Sequence, residues 1–73
     1  MFRVRVIVRG KLATNSRVHL EGADINLPEG ARVRDLLLEV GVFDEEVKHV
    51  KINGRPGRLE QSLKRDDLVE LSN

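Results

Sequence analysis

A mixed sheet of four to five strands with one main helix packed across one face is the α+β fold that this 73-residue sequence predicts. Three observations lead there. Phe2, Val4, Val6 and Val8 alternate with Arg3, Arg5, Ile7 and Arg9, the period of a half-buried strand. Val33, Leu36, Leu37 and Val40 recur at i, i+3, i+4 and i+7, which is one apolar stripe of a helix. Near the carboxyl end, Val69 and Leu71 alternate with Leu68 and Glu70, so the chain closes on another half-buried strand.

The elements between these anchors follow in order. Gly10 to Ser16 is rich in turn formers, and a second extended segment runs from about Arg17 to Leu27. Gly22 is a break or bulge within that segment, and Ile25 and Leu27 point inward. Pro28-Glu29-Gly30 turns the chain into the helix, and Gly41 stands where a left-handed C-cap is expected. Asp44 to Val47 suits a further short turn, after which Val50 and Ile52 resume alternation. Asn53-Gly54 signals a tight hairpin, because both residues tolerate the positive φ it requires. The returning strand, around Leu59, is short because Pro56-Gly57 interrupts it. Leu63 completes the apolar set, and Arg65-Asp66-Asp67 makes the turn into the last strand. A right-handed crossover through the helix lays the last strand beside the first, in parallel. That is the β-grasp arrangement, over a single domain of residues 1–73 with no repeat or linker.

Composition narrows the function. With no cysteine there is no thiol chemistry, disulfide or thiolate metal site. No apolar run exceeds three residues, as in Val6-Ile7-Val8 and Leu36-Leu37-Leu38, against the ~20 that span a bilayer. The first residues interleave arginine with apolar side chains, unlike a signal peptide, so a soluble cytoplasmic protein without membrane partners is expected. His19 and His49 lack a second histidine or a carboxylate at ligand spacing, so no metal is expected. Ser16, Ser62 and Ser72 lack a nucleophile elbow, and Gly54 to Gly57 lacks the Lys-Ser/Thr of a phosphate loop. No catalytic residue and no cofactor are expected.

Charge is distributed unevenly. Residues 1–17 carry five basic and no acidic side chains, leaving eight basic and twelve acidic in the remainder. If Val69 and Leu71 are core, then Leu68 and Glu70 face away from the helix, as do Arg3, Arg5, Ile7 and Arg9 beside them and Lys51 in the hairpin. These seven residues form the candidate partner-binding face, with Ile7 and Leu68 as exposed apolar residues ringed by charge. Phe2 and Phe43 are the only aromatic residues, which gives little support to base stacking.

Leu27-Pro28-Glu29-Gly30-Ala31, Val33, Asp35-Leu36-Leu37, Gly41-Val42, Val50 to Arg55, Leu63 and Asp67 to Leu71, in that order and spacing, resemble the ubiquitin-like sulfur carriers of molybdopterin and thiamine synthesis, the ThiS/MoaD family. The match spans about two-thirds of the chain. The resemblance implies docking on an adenylyltransferase-like or synthase-like enzyme. Carriers of that family end in a flexible Gly-Gly tail whose carboxylate becomes a thiocarboxylate. Here no Gly-Gly occurs, the last glycine is Gly57, and the two residues after Leu71 reach at most about 7 Å. If the chain ends at Asn73, a member without the terminal chemistry is implied; a carrier continuing past Asn73 is one alternative.

Two further departures concern the fold. Arg32 stands where family members often have Thr or Ser, so a side-chain N-cap worth ~1 kcal/mol is missing, and Asp66-Asp67 replaces a Gly-Asp. A second resemblance is to the TGS domain, a tail-less β-grasp module that implies binding of RNA or nucleotide, here through Arg3, Arg5, Arg9, Lys11 and Arg17.

Overall fold

A computed structural model describes residues 1–9 and 22–72. The turn read into Gly10 to Ser16, the start of the extended segment at Arg17, Lys11, His19 and Asn73 lie outside the described residues. Along the chain come β1 (Phe2–Val8), β2 (Ala23–Leu27), α1 (Val33–Val40), a 3-10 turn (Asp44–Glu46), β3 (His49–Ile52), β4 (Arg55–Pro56) and β5 (Leu68–Ser72). The five strands form one sheet in the order β2-β1-β5-β3-β4. β1 and β5 are parallel, while the other neighbours run antiparallel. Both the mixed sheet and the central parallel pair match the expected arrangement.

Period-two patterning decides which face is covered. Phe2, Val4, Val6 and Val8 of β1 join Leu27, Ile52, Val69 and Leu71 in one buried cluster, closed by Val33, Leu36, Leu37 and Val40 of α1. Burial of such apolar area supplies most of the driving force, at roughly 25 cal/mol per Å². Ile25 is half-buried against this cluster and Leu27 is fully buried, so both point inward as expected. Gly22 lies just before β2 rather than within it.

The start of α1 has no side-chain cap at Arg32, as expected, and its N–H groups are satisfied from elsewhere. Arg32 has no acceptor atom to offer the helix, since a guanidinium only donates. Instead the Val33 and Arg34 N–H groups donate to the Gln61 and Leu59 carbonyls, both at 3.0 Å. Asp35 Oδ2 accepts the Arg32 N–H at 2.8 Å, the acidic half of a capping box. The loop after β4 therefore does the work of a capping side chain. Arg32 and Arg34 both reach back to Glu60 in the same loop.

That loop also corrects the returning strand. β4 is only Arg55–Pro56, and Leu59 lies beyond it in the segment that crosses to α1. Proline cannot donate to a ladder. Gly57 then packs so closely on Ile52 that an added Cβ would sit 2.8 Å from Ile52 Cδ1. At the other end of α1, Gly41 takes the left-handed conformation (φ 77°) and reverses the chain.

Asp66 holds φ 65° in the turn before β5, a conformation that suits glycine better. Asp66→Gly is therefore expected to stabilise the fold by about 0.5 kcal/mol, or about 2–4 °C in Tm, measurable by thermal unfolding.

Candidate functional site

The strand register gathers the seven predicted residues on the face of the sheet opposite α1. Arg5 lies beside Leu68 and Ile7 beside Glu70 across the parallel β1/β5 pair, and Lys51 pairs with Glu70 across β3/β5. Arg3 and Arg9 extend the row at the two ends of β1. Asp24 and Asn26 of β2 face Arg5 and Arg3 on the same side, and His49 pairs with Ser72 on the far side. Alternation reveals these additional members once the neighbouring strands are known, yet β2 and His49 had no charge pattern to single them out.

One expectation is corrected. Ile7 and Leu68 are half-buried rather than exposed. Gly22 lies over Ile7, so close that an added Cβ would stand 3.3 Å from Ile7 Cγ1. The face is thus a shallow apolar floor under longer charged side chains, and among the described residues the large exposed apolar side chains lie elsewhere, at Met1, Leu38 and Phe43.

Leu68 is held by a polar clamp that spacing alone did not disclose. Asn53 in the β3–β4 turn has φ 55° and Gly54 has φ 83°, as the tight hairpin turn requires. In that pose Asn53 Oδ1 accepts the Leu68 N–H at 2.8 Å, and the Asn53 N–H donates to the Leu68 carbonyl at 2.8 Å. Asn53 Nδ2 donates to Asp67 Oδ1 at 2.9 Å, while Asp67 Oδ2 accepts the Lys64 N–H at 2.8 Å. Asp67 thus ties its own turn, as expected, and also binds the hairpin to the entry of β5.

Asn53→Ala removes this acceptor and strains a left-handed position. It is expected to cost about 1–3 kcal/mol in urea unfolding. Asn53→Gly, which keeps the backbone conformation, should cost less, and the difference measures the strain.

Four cations, Arg3, Arg5, Arg9 and Lys51, share the face with the carboxylates Asp24 and Glu70. Arg5 and Asp24 approach to 3.6 Å, and Arg9 and Glu70 to 3.7 Å. Both arginines are more than half exposed, so each pair is worth only about 0–1 kcal/mol and can be exchanged for a partner's charge. Arg3 and Lys51 have no ion pair among the described residues. A shallow cleft of about 210 Å³ opens between Arg9, His49, Lys51, Glu70 and Ser72. Among the described residues no side-chain cluster suits a metal, and no polar or charged side chain is buried.

Neither a scan of protein-family models nor a search of curated proteins finds a match. Solved structures do match. A Pyrococcus furiosus protein assigned as molybdopterin converting factor subunit 1 superposes with a TM-score of 0.77, covering 99% of this chain and 97% of that one at 29% identity. The chain is a ubiquitin-like β-grasp protein. Small archaeal modifier protein 1 of Haloferax volcanii has the same β-grasp fold, with a TM-score of 0.75 at 15% identity and coverage of 99% and 97%. A further structure of that modifier gives 0.70 at 15% identity, covering 94% of this chain and 91% of that one. The resemblance to ThiS/MoaD carriers read from the sequence therefore holds at the level of structure. No helix of this β-grasp protein is long and apolar enough to cross a membrane, among the described residues.

Proposed function

We propose that this chain is a ubiquitin-like protein-interaction module of the sulfur-carrier and modifier type. It docks on an adenylyltransferase-like or synthase-like enzyme of the cytoplasm through Arg3, Arg5, Ile7, Arg9, Lys51, Leu68 and Glu70. One observation carries the reading: the helix-free face presents a half-buried apolar pair, Ile7 and Leu68, beneath four cations, two of them without an ion pair among the described residues. An apolar floor supplies affinity when covered, and exchangeable surface charge supplies orientation and association rate. The kinship in fold with a molybdopterin converting factor subunit and an archaeal modifier supports a protein as the partner. Docking of this kind is independent of terminal thiocarboxylate chemistry, for which the 73 residues hold no Gly-Gly pair.

Affinity capture from native lysate at low and moderate salt, with protein and nucleic acid both identified, tests the reading. A protein partner that survives moderate salt is the expected result. RNA that is captured at low salt and released as salt rises would favour the TGS-like alternative, because phosphate contacts are driven by counterion release. Of the cations invoked for that alternative, Arg5 and Arg9 each already approach a carboxylate.

A further inference from the structure

The other end of the molecule carries a second surface. Leu38 is the outward member of the Leu36-Leu37-Leu38 run, off the buried stripe of α1, and is 77% exposed. After the Gly41 reversal, Val42 turns inward at 5% exposure and Phe43 turns out at 72%. Together Leu37, Leu38, Val42 and Phe43, with Arg34 and Asp44 at the edge, line a mostly apolar groove of about 240 Å³. That volume is below the roughly 300–1,000 Å³ of small-molecule sites, so it suits protruding side chains better than a cofactor. A chain this short has little apolar surface to spare, and placing one of its two aromatic rings in water is a departure that a partner would explain.

The charge around the groove states which partner. Glu39 sits in the last turn of α1, which has no basic residue, so it adds to the negative end of the helix dipole. Asp44 and Glu45 follow directly after Phe43 in the acidic 3-10 turn, and both are exposed. Arg34, the cation at the groove, is already engaged with Glu60. An apolar groove flanked by carboxylates and a helix C-terminus complements a segment with two apolar side chains flanked by lysine or arginine.

We propose that the Leu38/Phe43 groove is a second docking site, distinct from the sheet face, for a basic amphipathic segment of a partner protein. The probe is a fluorescein-labelled synthetic peptide of leucine and lysine at helical period, with a leucine/glutamate peptide of the same pattern as control, read by anisotropy against the full chain. The lysine peptide is expected to bind and the glutamate peptide to fail. Leu38→Ser with Phe43→Ser should weaken binding by about tenfold or more, as should Glu39→Lys with Asp44→Lys. Because all four side chains are exposed, circular dichroism should be unchanged. Arg3→Glu with Lys51→Glu, on the opposite face, should leave peptide affinity undiminished. Equal binding of wild type and the Leu38/Phe43 variant, equal binding of both peptides, or self-association of the chain that buries Phe43 would each overturn the proposal.

Discussion

Leu36→Ala is expected to lower the unfolding free energy by about 2–5 kcal/mol, the range for emptying a leucine-sized volume in a packed core. Leu36 is fully buried at the centre of the α1 stripe, among Val33, Leu37 and Val40 and against the sheet residues of the same cluster. A folded chain of 73 residues has a total stability of about 4–11 kcal/mol, so this one truncation removes a large part of it. At about 4–8 °C per kcal/mol, Tm should fall by at least about 8 °C. Leu38→Ala, two residues on and exposed, is the matched control and should change Tm little. Equal effects of the two truncations would mean that α1 does not pack as described.

Reversing charge on the sheet face should have the largest effect on binding. Arg3→Glu with Lys51→Glu replaces two cations that have no ion pair among the described residues, so the described fold loses no salt bridge. Lys51→Glu does set a second carboxylate opposite Glu70, a like-charge strand pair that costs about 0.2–1 kcal/mol. Against a partner selected for a basic surface, the same change introduces repulsion and slows association. Capture of the salt-resistant partner should weaken by about 100-fold, close to 2.7 kcal/mol. Arg3→Lys with Lys51→Arg, which keeps the charge, should bind nearly as wild type. Surface plasmon resonance at two salt concentrations separates the association-rate effect from loss of contact.

Much of the fold was legible because its elements obey simple periods. Phe2 to Val8 buries every second residue, and the Val33–Val40 stripe buries all four predicted positions. Asn53-Gly54 announced its own turn through the one backbone conformation both residues tolerate. What stayed hidden depended on contacts between distant segments. Nothing local to Arg32 reveals that the Leu59 and Gln61 carbonyls will cap α1, nor does Asn53 by itself point to Asp67 and Leu68. The candidate face was legible as a set of residues, since alternation assigns a side to each one. Its depth was not, because Gly22, just before β2, packs against Ile7 through a strand register that the sequence does not state. Phe43 shows the converse: a large aromatic residue stands in solvent because the Gly41 reversal gives the inward position to Val42.

The most direct test of docking through the sheet face is an amide chemical-shift map of the isotope-labelled chain titrated with the captured protein partner. Perturbations should concentrate on Arg3, Arg5, Ile7 and Arg9, on Lys51, and on Leu68 and Glu70, with α1 little changed. A map confined to α1 and residues 42–46, with β1 and β5 unmoved, would contradict the account and transfer the primary interface to the opposite side of the molecule.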